Sequence, residues 1–317
     1  MQTEPEAAGS VAALPVKAPP GAPRRRVPGW LHEGALLAPA VVLLIVFLLL
    51  PFVLSLVMSF TNEPLIPRPR PVRFVGFLNY QRILDDPDFW QSVWNIVRFT
   101  AMVLPLQCGL ALGLALLLNM KLPFRNFFRG ALFIPYITSI VVVSVIWGTL
   151  YQYPSGPLNS LIHFASFGTL GPVDWLGDPD AAMISIVFLS AWQAYGFQMI
   201  IYLAGLQNVP PELYEAAKMD GAKAWTRFWH VTMPALRNTH VFVIMVTTIQ
   251  AFKLFTQVAI LTQGYPNGST NTVTYYMYSL GFVEQKLGPS AAVSVLLFFM
   301  VVAVALVQRF VTRKYDA

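Results

Sequence analysis

Long apolar runs recur along the chain and are separated by short polar connections, the pattern of helices that cross a bilayer rather than of a soluble core. About 20 consecutive apolar residues are needed to cross the hydrocarbon layer. Stretches of that size lie near residues 35–60, 93–118, 130–151, 181–207, 241–262 and 291–310. The pattern therefore predicts an all-α, polytopic membrane protein with six transmembrane helices. Pro51 sits inside the first run and predicts a kink, because proline removes a helix hydrogen bond. Asp178-Pro179 reads as a cap and first-turn pair opening the fourth run, and Ser155-Gly156-Pro157 breaks the chain before it. Residues 1–29 are rich in Ala and Pro, contain no apolar run and end near Arg24-Arg25-Arg26, which predicts a disordered tail ahead of a membrane domain over residues 30–317. A cleaved signal peptide is the competing idea, but the apolar run from about Ala35 to Phe60 exceeds a signal core of about 7–15 residues, so it is expected to stay as a membrane helix.

Composition agrees: 56% of residues are hydrophobic and only 11% charged, against about a quarter charged in a soluble domain. The net charge of +6 does not point to nucleic acid, because most basic residues sit in short segments beside apolar runs, where they set topology. The residues 1–29 tail, the 119–129 and 208–240 connections and the C-terminus together carry 14 Lys and Arg, and the alternate connections carry 5. Positive residues stay inside, so both termini and the 208–240 connection are expected in the cytoplasm of a multi-pass cell-membrane protein. Cys108 is the only cysteine, lies in an apolar run and can form no internal disulfide.

The longest polar interruption of the second half is Pro210 to Pro234, PPELYEAAKMDGAKAWTRFWHVTMP. Asn208 is placed to cap a helix beginning at Pro210-Pro211-Glu212, Asp220-Gly221 to turn the chain, and a second helical run to carry Ala222, Trp225, Phe228 or Trp229, and Thr232 on one stripe as far as Pro234. Two readings follow from physics alone: a hairpin lying on the membrane with its tryptophans at the headgroups, or an aromatic surface that another protein covers. The spacing Glu215-Ala216-Ala217, three residues, Gly221, nine residues, Val231-Thr232-Met233-Pro234 resembles the cytoplasmic signature loop of the membrane subunits of binding-protein-dependent ABC importers. Val231 and Met233 stand where that signature has Ile and Leu. Two outer segments, RFVGFLNY at 73–80 and LTQGYPNGSTNT at 261–272, are similar to segments of the sugar-permease branch, although Tyr265 replaces a glycine in the second.

The resemblance covers most of the chain from about residue 35 and is to carbohydrate-uptake permeases such as those for maltose, lactose or glycerol-3-phosphate. It implies a type I importer permease fold and a heterocomplex with a second permease of different sequence, two ATP-binding cassette subunits and an external solute-binding protein. It also implies that Glu215, Ala216, Ala217, Asp220, Gly221 and Pro234 form the coupling site for the ATPase. ATP is then used by partner subunits; this chain contains no phosphate-binding loop, no catalytic residue is expected, and its four scattered histidines give no metal-ligand spacing.

Candidates for the solute pathway come from residue chemistry. Trp192, Gln193, Tyr195 and Gln198 cluster in the fourth run, where amides can bond hydroxyl groups and aromatic faces can stack on sugar rings; packing between helices is the competing reading. Lys253 lies half-way along the fifth run, where an unpaired charge costs at least about 2.5–3.5 kcal/mol, so a partner carboxylate, helix-end carbonyls or a wet cavity must receive it. Arg98 is close enough to the outer end of its run to reach headgroups. The outer segment 61–91, with Phe74, Phe77, Tyr80 and Ile83, reads as an amphipathic surface helix. A stand-alone secondary transporter is the alternative function, disfavoured because no acidic residue lies deep in any run; a non-transporting membrane scaffold is the other.

Overall fold

The structure is a computed structural model that describes residues 29–66, 71–120 and 123–313. The tail read over residues 1–29 falls outside it up to residue 28, as do Arg68, Arg70, Lys121 and Lys314. The chain divides into two compact units at Phe52/Val53. In the first, α1 (Gly29–Leu44) passes into a π-helical turn at Ile45–Leu49, after which α2 (Leu50–Met58) begins. Leu50 donates its amide to Ile45, five residues back. The next residue, Pro51, has no amide to donate, so the chain widens just before it rather than losing a helical segment.

The second unit is helical throughout. Its outer segment holds α3 (Leu78–Leu84), and α4 (Pro87–Asn119) follows, opened by Asp86, whose carboxylate accepts the Asp88 amide. Then come α5 (Arg125–Ile137), α6 (Ile140–Leu150), α7 (Pro157–Ala165) and α8 (Pro179–Gln207). The expected cap is present on α8, where the Asp178 carboxylate accepts amides from Asp180 and Ala181. The polar hairpin follows as α9 (Pro211–Met219), α10 (Ala224–Arg227), a π-helical turn at Phe228–Thr232, and α11 (Met233–Ala235). The chain ends with α12 (Arg237–Phe252), α13 (Thr256–Leu261), α14 (Val273–Tyr278) and α15 (Leu287–Arg313). Five helical stretches are long and apolar enough to cross a membrane among the described residues, or six if the bent pair α5–α6 is one span.

That pair differs from the single straight span expected at 130–151. The axis turns by 91° between Ile137 and Ile140. Pro135 removes one amide near the end of α5, Thr138 turns to an extended backbone, and both the Thr138 amide and hydroxyl bond the Ile134 carbonyl at 3.2 and 2.8 Å. The fifth run is also broken, between α12 and α13. Its freed carbonyls are received by neighbours: Thr274 Oγ1 donates to Phe252 O at 3.2 Å and Thr272 Oγ1 to Leu254 O at 2.9 Å.

Among the described residues of 61–91, only α3 and the first turn of α4 are helical, so the amphipathic helix expected there is shorter than its pattern. Asn79 donates to the carbonyls of Ser59 and Thr61, both at 2.8 Å, and Tyr80 hydroxyl meets Ser59 Oγ at 2.7 Å. These bonds explain why polar Asn79 and Tyr80 follow an apolar stretch. Arg98 pairs with Asp180 at 3.2 Å instead of reaching only for headgroups. At the end of the outer segment, Tyr276 hydroxyl donates to the Asp86 carboxylate at 2.6 Å. Burial first, and then that carboxylate, raise the phenol above its ordinary range, so it remains the donor at neutral pH.

Two apolar clusters hold the unit together. One joins α3, the first half of α4, the first half of α8, α13, α14 and α15 around Ile96, Phe99, Met183, Ile186 and Val293. The other joins the second halves of α4 and α8 to the start of α12 around Ala115, Leu118, Met199, Tyr202, Leu236 and Val243. At Gly196, α8 touches the backbone of α5: an added Cβ would lie 2.7 Å from Leu132 O and 3.2 Å from Phe133 Cα.

Candidate functional sites: a mid-span cavity and a polar hairpin

Between the two apolar clusters, half-way along α4 and α8, the packing gives way to a cavity of about 290 Å³. The α4 wall is Phe99, Val103 and Gln107, spaced by four residues and so on one helix face. Ser190, Gln193 and Ala194 line it from α8, Thr247 and Gln250 from α12, Lys253 from the helix break, and Gln257 from α13. Tyr136 of α5 and Ile140 of α6 close the side at the sharp bend. The lining thus mixes apolar side chains and the Gln107 amide on the α4 side with several amides opposite, a mixture able to hold a hydroxylated solute by hydrogen bonds and ring contact.

The break after Phe252 puts Lys253 at the C-terminal end of α12, where the helix dipole is negative, and leaves its side chain exposed to the cavity. Of the environments that could receive a mid-span lysine, the cavity is the one that the side chain meets. Gln193 also lines the cavity and lies 3.4 Å from the Pro135 and Tyr136 carbonyls. The other candidates of the fourth span do not line it. Trp192 packs on Trp147 with centroids 5.5 Å apart, and Tyr195 lies in the second apolar cluster. Gln198 is fully buried behind the wall; its Nε2 donates to Thr247 Oγ1 at 3.2 Å and Gln250 Oε1 at 3.3 Å, so it orients two lining residues. Reading the sequence residue by residue missed Ser190 of the fourth span, Gln107 of the second, and Thr247, Gln250 and Gln257 of the fifth. The recurrence of polar residues at 247, 250, 253 and 257 in an apolar run was the available signal.

The hairpin is built from two short helices. Asn208 does not cap α9: it ends α8, and Pro210 occupies the N-cap position of α9 without a side-chain bond. Glu215, Ala216 and Asp220 are exposed and Ala217 is half-buried. At the far end Gly221 has a φ of +75°, its amide bonds Lys218 O at 3.0 Å, and Ala222 amide bonds Ala217 O at 2.9 Å. This pair of bonds is a Schellman closure, which a left-handed glycine serves best. An added Cβ at Gly221 would meet nothing within 4 Å, so the residue faces open space.

Trp225, Phe228 and Trp229 pack together with centroids 5.2 to 5.9 Å apart, Trp225 and Phe228 stacked and Trp229 edge-on to both, and Trp225 remains 71% exposed. Tyr214 hydroxyl meets Thr232 Oγ1 at 3.1 Å and ties α9 to the π-helical turn. Beyond exposed Pro234 only Leu236 separates α11 from α12, and it is fully buried. The hairpin is thereby joined almost without slack to the helix that ends at Lys253.

Comparison with known proteins agrees with this geometry. Residues 108–317 match the family described as binding-protein-dependent transport system inner membrane component. The chain is 34% identical over 273 residues to the arabinooligosaccharides transport system permease protein AraP of Bacillus subtilis (strain 168), covering 85% of each chain. It is 35% identical over 292 residues to the lactose transport system permease protein LacF of Rhizobium radiobacter, covering 91% of this chain and 95% of the other. Among solved structures, a bacterial ABC transporter involved in the import of the acidic polysaccharide alginate superposes with a TM-score of 0.75 at 22% identity, covering 90% of this chain and 96% of that one, a likeness of fold.

The class is that of a multi-pass inner-membrane permease subunit with no catalytic centre of its own. The chain belongs to the family of binding-protein-dependent ABC transporter permeases, alongside carbohydrate-uptake members. As a member of that family it works in a complex with a solute-binding protein and ATPase subunits, and those subunits use the ATP. Among the described residues no group of acidic, His and Cys side chains is arranged to hold a metal.

Proposed function

We propose that this subunit forms half of the translocation pathway for a sugar or related polar solute, and that the 210–234 hairpin couples the pathway to ATP hydrolysis. The observation that carries the reading is the amide-lined cavity at mid-span, where α12 ends on Lys253. The names of AraP and LacF, which refer to arabinooligosaccharides and lactose, support a carbohydrate as cargo. Gln193, Gln250, Gln257 and Ser190 supply hydrogen bonds that replace water around hydroxyl groups as the solute passes.

Coupling runs through connected, packed elements. Glu215, Ala216, Ala217, Asp220 and Gly221 seat against an ATPase subunit: the small alanines allow close approach, Gly221 permits the turn, and the carboxylates meet basic groups. Both termini and the hairpin face the cytoplasm, and a second permease of different sequence supplies the other half of the pathway. Closure of the ATPases displaces the hairpin. Because α11 passes into α12 through Leu236 alone, a push on the hairpin moves a helix of 16 residues, roughly 24 Å long, whose far end is part of the cavity wall.

The test is uptake of radiolabelled lactose and arabinotriose by cells expressing the complete importer in a host lacking sugar uptake of its own. Wild type accumulates at least one of them in an ATP-dependent manner, and Gln193→Ala with Gln250→Ala reduces accumulation at least tenfold at equal membrane abundance. Unchanged uptake by the double variant contradicts the assignment of the cavity.

A further inference from the structure

We propose that the cavity favours an anionic sugar, such as a uronic acid or another carboxylate-bearing saccharide, and that Lys253 is the residue that confers the preference. The proposal rests on the cavity being the solute pathway.

Lys253 is the one charged residue of the lining. The polar groups around it, Gln107, Ser190, Gln193, Thr247, Gln250 and Gln257, are all neutral, and no carboxylate lines the cavity to compensate the ammonium group. Among the described residues Lys253 makes no ion pair, and Asp180, in the first turn of α8, is engaged by Arg98. Amides cannot neutralise a cation, and a site that is half enclosed weakens the screening water would otherwise give.

The site is built to hold this charge rather than merely tolerating it. Lys253 occupies a helix break whose neighbouring carbonyls, Phe252 O and Leu254 O, are bonded by Thr274 and Thr272, so those carbonyls are already engaged and the side chain remains directed to the cavity lining. A second group on the wall lacks a partner: Gln107 is 3% exposed and its Nε2 has no hydrogen-bond acceptor. A buried amide donor left unpaired is costly unless something brings an acceptor to it. A lone cation and an unpaired donor on one cavity whose lining is otherwise neutral ask for acceptor oxygens with negative charge. A carboxylate on a sugar ring meets the lysine, and ring hydroxyls meet the glutamines.

The experiment uses the complete importer without its binding protein, so that selection by that protein is removed, and measures binding of digalacturonate and neutral galactobiose by calorimetry at low ionic strength. Wild type is expected to bind digalacturonate at least tenfold more tightly, Lys253→Gln to bind both alike, and Lys253→Arg to retain the preference. Equal affinities in wild type, with both weakened by Gln193→Ala, overturn the anionic preference but leave the cavity as the pathway. Binding of neither probe, or binding insensitive to Gln193→Ala, overturns both. A Lys253→Gln importer that loses its second permease while keeping the preference assigns the lysine to subunit contact and also overturns the proposal.

Discussion

At the scale of the residue, single glycines and hydroxyls decide whether helices can approach. Gly196 is the sharpest case, because a side chain there meets backbone atoms of α5 rather than a movable side-chain tip. Gly196→Val is expected to destabilise the subunit by about 1–3 kcal/mol through overpacking. Thermal unfolding of the purified complex checks this, with Gly113→Ala as the control at a position where a Cβ meets nothing within 4 Å. Loss of stability in the control but not at Gly196 contradicts the packing argument. The Tyr276 hydroxyl is a second case: Tyr276→Phe leaves the half-buried Asp86 carboxylate without this donor and is expected to cost about 1–3 kcal/mol, read by the same melting experiment.

Residue chemistry was legible in the sequence where one position dominated. Lys253 stood out as a charge in an apolar run and Asp178 as a cap, and the structure gives each a physical setting that fits. Tyr195 and Gln198 were not separable from Gln193 by residue type. Which face of α8 meets α4 and α12, and which meets the cavity, depends on tertiary packing that a one-dimensional pattern does not contain.

At the scale of the element, the breaks are the informative features. The apolar runs marked the helices, because a bilayer demands uninterrupted apolar length, yet both interruptions in the third and fifth runs escaped notice. Hydropathy is blind to a break whose carbonyls are satisfied by threonines 18 or 22 residues further along the chain. Short α7 and α14 were missed for the same reason: a single turn or two carries too little periodicity to register.

The broken α12–α13 segment predicts that Thr272→Val with Thr274→Val leaves two carbonyls unpaired and costs about 1–3 kcal/mol for each. Lower unfolding temperature together with impaired uptake is the expected outcome; unaltered stability would show that the break does not depend on those bonds. The hairpin offers a cleaner separation of folding from docking. Gly221 is left-handed but faces open space, so Gly221→Asn adds a side chain at small conformational cost. If this surface seats against the ATPase, uptake falls while the subunit's abundance and melting temperature stay near wild type. Normal uptake with that variant argues against docking at Gly221.

At the scale of the whole molecule, the account joins two surfaces at opposite ends of α12: a hairpin exposing a cluster of aromatic rings and a cavity carrying a lone cation. The proposed orientation rests on the asymmetry of Lys and Arg between alternate connections. In a variant lacking Cys108, a single cysteine at Ala224 is expected to react with a membrane-impermeant maleimide only in inverted vesicles, and one at Phe167 only in intact spheroplasts. The opposite pattern reverses the topology and removes the hairpin from the ATPase.

The most direct measurement is co-purification of the importer with and without Glu215→Ala plus Gly221→Asp, read together with ATP-dependent uptake in proteoliposomes. The account predicts that wild type brings down the second permease and the ATPase subunits, and that the double variant keeps the permease partner but loses the ATPase and transport. Retention of the ATPase and of uptake by the double variant would contradict coupling through the hairpin.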